Sequence, residues 1–326
     1  MHSPLWQPTA SVHSLEHRAE LVWRIRQFFH QRAFAEVQTP ILSHDTVIDR
    51  HIDPVSLPAG QLGLPMLGDK PLYLQTSPEF CLKRLLAAGM TAIYELTSVF
   101  RAGERGSFHN PEFTMLEWYR VGDDLYQSVH LLSDLVCEVL QVTQVEQLTY
   151  QAAFGRYASC DPLLASPREL ASLAMEFNLG VDLDWSTDRD DWLNLLFSEV
   201  VQPKLGHNSP AIITHYPASQ SALARISSED PRTAERYELF VHGVELANGY
   251  HELLDADELV RRNETCLAQR SQDGKSPLPS DSRLLAAMRA GLPACSGCAL
   301  GFDRLLMVSL GVDSIDEVIA FPIERA

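Results

Sequence analysis

The chain reads as an α+β protein, a mostly antiparallel sheet flanked by helices. Extended segments come in runs, 93–101 with 112–119, 237–247 with 250–253, and then 294–301, with helical periodicity on either side of each run. The first run is a long-looped hairpin. The chain has 326 residues and is 45% hydrophobic, enough to bury a full core.

The elements follow in order. Residues 17–33 are an amphipathic helix, with Leu21, Val22, Ile25, Phe28 and Phe29 at helical spacing. Phe34 to Gln38 is extended and leads to Thr39-Pro40, where proline ends pairing or marks an edge. Residues 54–71 hold Pro54, Pro58, Gly60, Gly63, Pro65, Gly68 and Pro71 and form a loop. Leu72–Gln75 is a short strand. Ser77-Pro78-Glu79 then starts a helix, with Ser at the N-cap and Pro in the first turn, running to about Ala88. Strands 93–101 and 112–119 are joined by the polar loop Ala102–Pro111. A helix follows at about 125–142. The stretch 150–210 is mostly helical (168–177 and 190–201) and reads as an insertion in one domain spanning 1–326. Ala211–His215 is a strand before Tyr216-Pro217. Residues 237–247 and 250–253 are extended, interrupted by Asn248-Gly249. Helices at 255–270 and 284–290 flank a polar loop, 271–282, and strand 294–301 runs into a final helix, 302–311.

The net charge of -17 and pI of about 5.1 argue against a large non-specific nucleic-acid surface. The start of the chain carries Pro4 and Pro8 and no apolar segment, so no secretory signal is expected. No apolar run suggests a membrane span. A cytoplasmic protein is the expectation. The cysteines, Cys81, Cys137, Cys160, Cys266, Cys295 and Cys298, are scattered as for reduced thiols. Cys295 and Cys298 form one CxxC with no second pair nearby, so they read as two small residues beside a turn rather than a zinc site.

Three blocks carry candidate chemistry. The first is Phe100-Arg101, Glu104, and His109-Asn110-Pro111-Glu112-Phe113-Thr114-Met115-Leu116-Glu117-Trp118-Tyr119. A strand-end arginine offers a fork of donors to phosphate oxygens, and an aromatic on the return strand offers a face to a base. Alone, such a composition more often marks an ordinary hairpin. The second is Gly301-Phe302-Asp303-Arg304-Leu305 at a strand-to-helix junction, where glycine permits close approach and the helix start favours anions. Alone this string is weak, and Asp303 reads as a simple helix cap. The third is Glu238, Glu245 and Glu252 at spacing seven. A regular strand sets residues seven apart on opposite faces. A bulge or tight turn at Asn248-Gly249 would break that register and let Glu245 and Glu252 converge on a cation, Mg²⁺ with ATP or a substrate ammonium. The alternative is three solvated glutamates on a sheet edge.

In this order the blocks resemble the class II aminoacyl-tRNA synthetases: helix 17–33 with Thr39-Pro40 resembles motif 1, Phe100 to Glu117 motif 2, and Ala299-Leu300-Gly301-Phe302-Asp303-Arg304 motif 3. His109 to Met115, Tyr216-Pro217-Ala218, Leu223-Ala224-Arg225 and Gly243 to Glu252 are similar to the lysine branch. Lysyl-tRNA synthetases carry an N-terminal anticodon-reading OB-fold, for which no room is expected before residue 17. The resemblance is therefore nearest to the stand-alone paralogues, the elongation factor P–(R)-β-lysine ligases, which Met115 to Arg120, Glu245 to Gly249 and Ala299 fit.

That resemblance implies an ATP- and Mg²⁺-dependent enzyme that forms a lysine-type aminoacyl-adenylate. The acceptor would be a lysine side chain of elongation factor P rather than tRNA, and motif 1 implies a homodimer. By position, Arg101 and Arg304 are the implied catalytic residues, and ATP falls to them with Glu104, His109, Asn110, Phe113, Glu245, Leu246 and Gly301. The amino acid falls to Ser77, Pro78, Glu79, Glu117, Tyr119, Asn248, Glu252 and Ala299, and Mg²⁺ to Glu238 and Glu245. Two departures stand out. Ala299 replaces the usual glycine, a methyl that discriminates modestly in a pocket. Motif 2 usually reads Arg-x-Glu, but here Glu104 comes one position late, after Arg101-Ala102-Gly103.

Overall fold

The structure, a computed structural model, describes residues 4–63, 68 and 70–326. Residues 64–67 and 69 of the expected loop, Pro65 among them, and the first three residues of the chain lie outside those described. The chain forms two compact units, one of residues 1–122 and 253–326 and one of 123–252.

The first unit opens with α1, Val12–Gln31. It begins earlier than its apolar periodicity because the Ser11 hydroxyl accepts the Ser14 N–H at 3.0 Å, a cap about three turns ahead of the first buried leucine, Leu21. β1 (Ala35–Glu36), β2 (Leu42–Ser43), β3 (Ser56–Pro58) and β4 (Pro71–Leu74) follow. β2, β4 and β3 pair antiparallel as a small sheet, so strands occupy part of the stretch expected to be loop. α2 (Glu79–Ala87) starts one residue later than expected: Pro78 sits just outside the helix, and the Ser77 hydroxyl accepts the Glu79 N–H at 3.0 Å. β5 (Ala92–Phe100) and β6 (Glu112–Val121) form the long-looped hairpin, and β1 pairs parallel with β5.

The second unit begins with α3 (Leu125–Leu140), started by a reciprocal cap between Asp124 and Gln127. β7 (Glu146–Thr149) and the helices α4 (Tyr150–Tyr157), α5 (Pro167–Glu176) and α6 (Arg189–Leu196) follow, α6 continuing as a π-helical turn over Phe197–Val201. Tyr150, Phe154, Trp192, Phe197 and Phe240 are buried together as this unit's core. β8 (Ala211–Pro217), β9 (Thr233–Val241) and β10 (Val244–His251) complete a sheet in the order β7–β8–β9–β10, with only β7–β8 parallel.

The β9–β10 hairpin corrects the expected break at Asn248-Gly249. The chain reverses at His242-Gly243, whose φ angles of 50° and 76° suit the two-residue turn that matches strand twist. The register then slips between Glu245 and Ala247. Gly249 sits inside the strand opposite Tyr237, because a Cβ there would fall 2.2 Å from the Tyr237 ring.

The first unit resumes with α7 (Ala256–Gln272), α8 (Arg283–Gly291), β11 (Cys295–Gly301) and α9 (Phe302–Leu310). β11 pairs antiparallel with β6. On one face of this sheet Phe29 of α1 stacks on Tyr94 at 4.5 Å and meets Trp118 at 5.4 Å. Each such buried aromatic stabilises by about 2–3 kcal/mol. The other face of β6 carries Phe113, Met115, Glu117 and Tyr119, and register sets Ala299 and Gly301 of β11 beside Glu117 and Met115. Cys295 and Cys298 are free thiols inside β11, not beside a turn.

Candidate active site

In the first unit, Glu117 is buried to 1% exposure on the open face of β6. Ser77 donates to one of its oxygens and Tyr119 to the other, both at 2.7 Å. Burial first, and the Glu79 carboxylate second, push the Glu117 carboxyl far up, to about 8. Glu79, in the first turn of α2, receives the Lys83 ammonium at 2.5 Å. Ala299 lies cross-strand from Glu117, so its methyl faces the same space. Ser77, Glu79, Glu117, Tyr119 and Ala299 thus come together as a buried cluster around two carboxyl groups, with Pro78 as the N-cap of α2. Lys83 joins this cluster as well, and its signal in the sequence is the i,i+4 spacing from Glu79.

The nucleotide candidates of this unit cluster at the open end of the β5–β6 hairpin. Arg101 lies over the Phe113 ring at 5.1 Å and 3.8 Å from Glu104. Arg304 donates to the His109 Nε2 at 2.6 Å and to the Phe108 carbonyl at 3.3 Å. An arginine only donates, so His109 accepts here as a neutral imidazole. Burial, and then the Arg304 charge, lower the His109 pKa accordingly. The loop between the strands is held by hydrogen bonds and ion pairs. Gly106 and His109 exchange backbone hydrogen bonds, and Arg105 pairs with Asp316 at 2.9 Å and Glu324 at 2.7 Å. Asn110 is buried and donates to the Glu112 carbonyl, while its oxygen accepts the Ile323 N–H. Gly103 holds φ at 77°, so the position where motif 2 usually has glutamate turns the chain, and Glu104 follows it. Asp303, read as a cap, instead accepts from Arg18 at 2.5 Å and from the Thr114 N–H at 2.6 Å.

In the second unit, the slip between Glu245 and Ala247 changes the parity of β10. Glu245 pairs with Phe240, Asn248 with Glu238, and Tyr250 with Arg236. Glu238, Glu245 and Asn248 therefore share one face, and alternation carries it on to Glu252. Leu246 is the buried residue at the bulge. Glu238 accepts from the Tyr216 hydroxyl at 2.6 Å and from Arg236, which itself stacks over the Tyr216 ring at 4.6 Å. Glu252 is 1% exposed and bridges to Ala224 through its backbone. The Asn248 Oδ1 is buried with no hydrogen-bond partner among the described residues. No group of three or more His, Cys, Asp or Glu forms a metal cage among the described residues. The pair Glu238 and Glu245 nonetheless suits Mg²⁺, which takes one or two carboxylates and completes its shell with water and phosphate oxygens. Arg236 and Tyr216, which hold Glu238, were not singled out as site residues from sequence.

A strand-end arginine, a paired aromatic and a second arginine at a helix start, on an antiparallel sheet, define a class. The family described as tRNA synthetases class II (D, K and N) matches residues 6–325, and the chain belongs to it. Among individual proteins, it is 48% identical to the elongation factor P–(R)-β-lysine ligase of Proteus mirabilis over 98% of both chains. It is 46% identical to the ligase of the same name from Sodalis glossinidius over 99% of both. The one from Vibrio vulnificus is 47% identical over 97% of this chain and 98% of that protein. No helix among the described residues is long and apolar enough to cross a membrane.

Proposed function

We propose that this chain is an ATP-dependent ligase that activates a lysine-type amino acid, (R)-β-lysine, as an aminoacyl-adenylate and transfers it to a lysine side chain of elongation factor P. The observation that carries this reading is the buried pocket of Glu79, Glu117, Ser77 and Tyr119. Glu79 is paired with Lys83 and the buried Glu117 carboxyl gains a partner for its charged form when an ammonium arrives, so the cluster favours a cationic ligand over a neutral one. The relatives named above support the acceptor and the β-lysine.

In the first step a carboxylate oxygen of the amino acid attacks the α-phosphorus. The bond to the β-phosphate bridging oxygen breaks and pyrophosphate leaves. In the second, the acceptor amine attacks the acyl carbon, AMP departs with its oxygen, and the amine gives up a proton. The protein contributes positioning and charge. Arg101 offers its fork to the α-phosphate and substrate carboxylate, Phe113 stacks on the adenine, and Arg304 covers its other face. His109, Asn110, Leu246 and Gly301 line the nucleotide, and Glu104 stands in for the usual motif 2 glutamate. Glu238 and Glu245 would hold Mg²⁺, which supplies neutralisation of phosphate charge. Glu79 takes the backbone-side amine. Tyr119 and Glu252 hold the side-chain ammonium, with Glu117 beside it and Asn248 on the carboxylate. Ala299 narrows the pocket relative to a glycine.

Pyrophosphate exchange with α-lysine and both β-lysine enantiomers tests the first step. Folded protein that exchanges with none of them is an amino-acid-binding regulator instead. Acceptor assays with elongation factor P and with tRNA test the second, and efficient tRNA charging would sink the proposed acceptor.

A further inference from the structure

Lys83 is among the least exposed charged residues of the chain, at 2%, one helical turn after Glu79. Its ammonium meets the Glu79 carboxylate at 2.5 Å and lies 5.8 Å from the Tyr119 ring centroid. A lysine taken out of water at a helix position that apolar packing alone could fill is costly, and it persists where its charge is used. Here the charge has an evident use. Glu79 on α2 and Glu117 on β6 face one buried space, and two carboxylates there resist joint ionisation. Tyr119 is the hydrogen-bond donor to Glu117, and Glu95, cross-strand on β5, is itself an acid held by Thr39 at 2.8 Å. β11 presents Ala299 at the paired position.

We propose that Lys83 is the positioning residue of the amine pocket: it fixes the Glu79 carboxylate and supplies the nearby positive charge against which Glu117 can give up its proton when an ammonium arrives. This rests on the reading of the pocket as a lysine-type amino-acid site. Without Lys83 the Glu79 carboxylate loses its anchor, and Glu117 holds its proton more tightly. The substrate ammonium then meets a displaced or neutral partner, while the nucleotide residues are untouched.

The test is pyrophosphate exchange by the full chain, with β-lysine and ATP varied separately, for wild type, Lys83→Met and Lys83→Arg, alongside thermal melts. Loss of one charge-assisted bond to the amine-binding acid raises KM for the amino acid about tenfold or more in Lys83→Met. KM for ATP stays within about twofold, since the change removes ground-state binding of one substrate only. Lys83→Arg restores part of the affinity. The pH at which the amino-acid KM levels off moves upward in Lys83→Met, a displacement that loss of packing alone does not produce. An unchanged amino-acid KM and pH profile, or equal rises in both KM values, overturns the proposal. If Lys83→Met fails to fold, Lys83→Arg decides on the same split. Wild type that shows no exchange with any lysine would sink the functional reading first. Calorimetric titration of β-lysine onto wild type and Lys83→Met then decides the role of Lys83 separately, equal affinities overturning it.

Discussion

Replacing Asp303 by alanine cuts the point at which α9 is fastened to β6 and α1. The Asp303 carboxylate is 1% exposed. One oxygen accepts from Arg18 at 2.5 Å and the other from the Thr114 N–H at 2.6 Å, while Arg18 also donates to the Thr114 hydroxyl at 2.6 Å. Breaking a buried ion pair costs about 3–5 kcal/mol, and Arg18 keeps 26% of its side chain exposed, which places this pair at or below the lower end. The half-buried Thr114 N–H loses its acceptor for about 1 kcal/mol more. The sum is about 3–4 kcal/mol, or roughly 4–6 °C in Tm for a chain of this size. Asp303→Asn keeps an acceptor toward Thr114 and should lose about half as much. Thermal melts by circular dichroism measure both, and a double-mutant cycle with Arg18→Ala should show at least about 1 kcal/mol of coupling. An Asp303→Ala melt within about 1 °C of wild type, or strictly additive effects, would refute the reasoning. Pyrophosphate exchange should fall as well, because the neighbouring Arg304 projects from the same turn.

Four further predictions follow from the geometry. Gly249→Ala drives a methyl into the Tyr237 ring, which cannot swing away because its hydroxyl bonds Ser128 at 2.5 Å. A loss of about 2–3 kcal/mol is expected in urea unfolding, and a neutral result would mean the hairpin shifts freely. The Glu117 carboxyl, raised from 4.5 to about 8, holds a proton in the folded state that the unfolded chain releases. Its contribution to stability therefore falls as pH rises through that window. KM for the cationic amino acid should fall over the same interval, since ammonium favours the ionised acid; a flat profile between pH 6 and 8, measured by exchange, contradicts this, and Glu117→Gln should flatten it. Arg304→Ala leaves His109 without its guanidinium and should reduce exchange by about a hundredfold or more, while Phe321→Ala on the exposed surface should not. Trp23 is 61% exposed on α1, so if that helix pairs two copies, Trp23→Glu should convert a dimer to a monomer by light scattering.

The hydrophobic periods, the proline and glycine punctuation and the order of the three blocks are local signals, and they sufficed to name the α+β class and to number most helices and strands within a few residues. Arg101, Phe113, Glu117 and Arg304 were legible only through the order of the blocks and the family they resemble, because each block alone fits an ordinary hairpin or a capped helix equally well. What only the tertiary structure decided is pairing. The turn at His242-Gly243 and the slip between Glu245 and Ala247 put Glu238, Glu245 and Asn248 on one face, and a slip is a property of two strands, not of one. The role of Asp303 moved from a cap to a tie because Thr114 and Arg18, far away in sequence, supply its partners. Lys83 became visible for the same reason. Its spacing from Glu79 is written in the chain, but that both are buried facing Glu117 depends on the packing of α2 over β6, and burial is what turns an ordinary ion pair into part of a binding pocket.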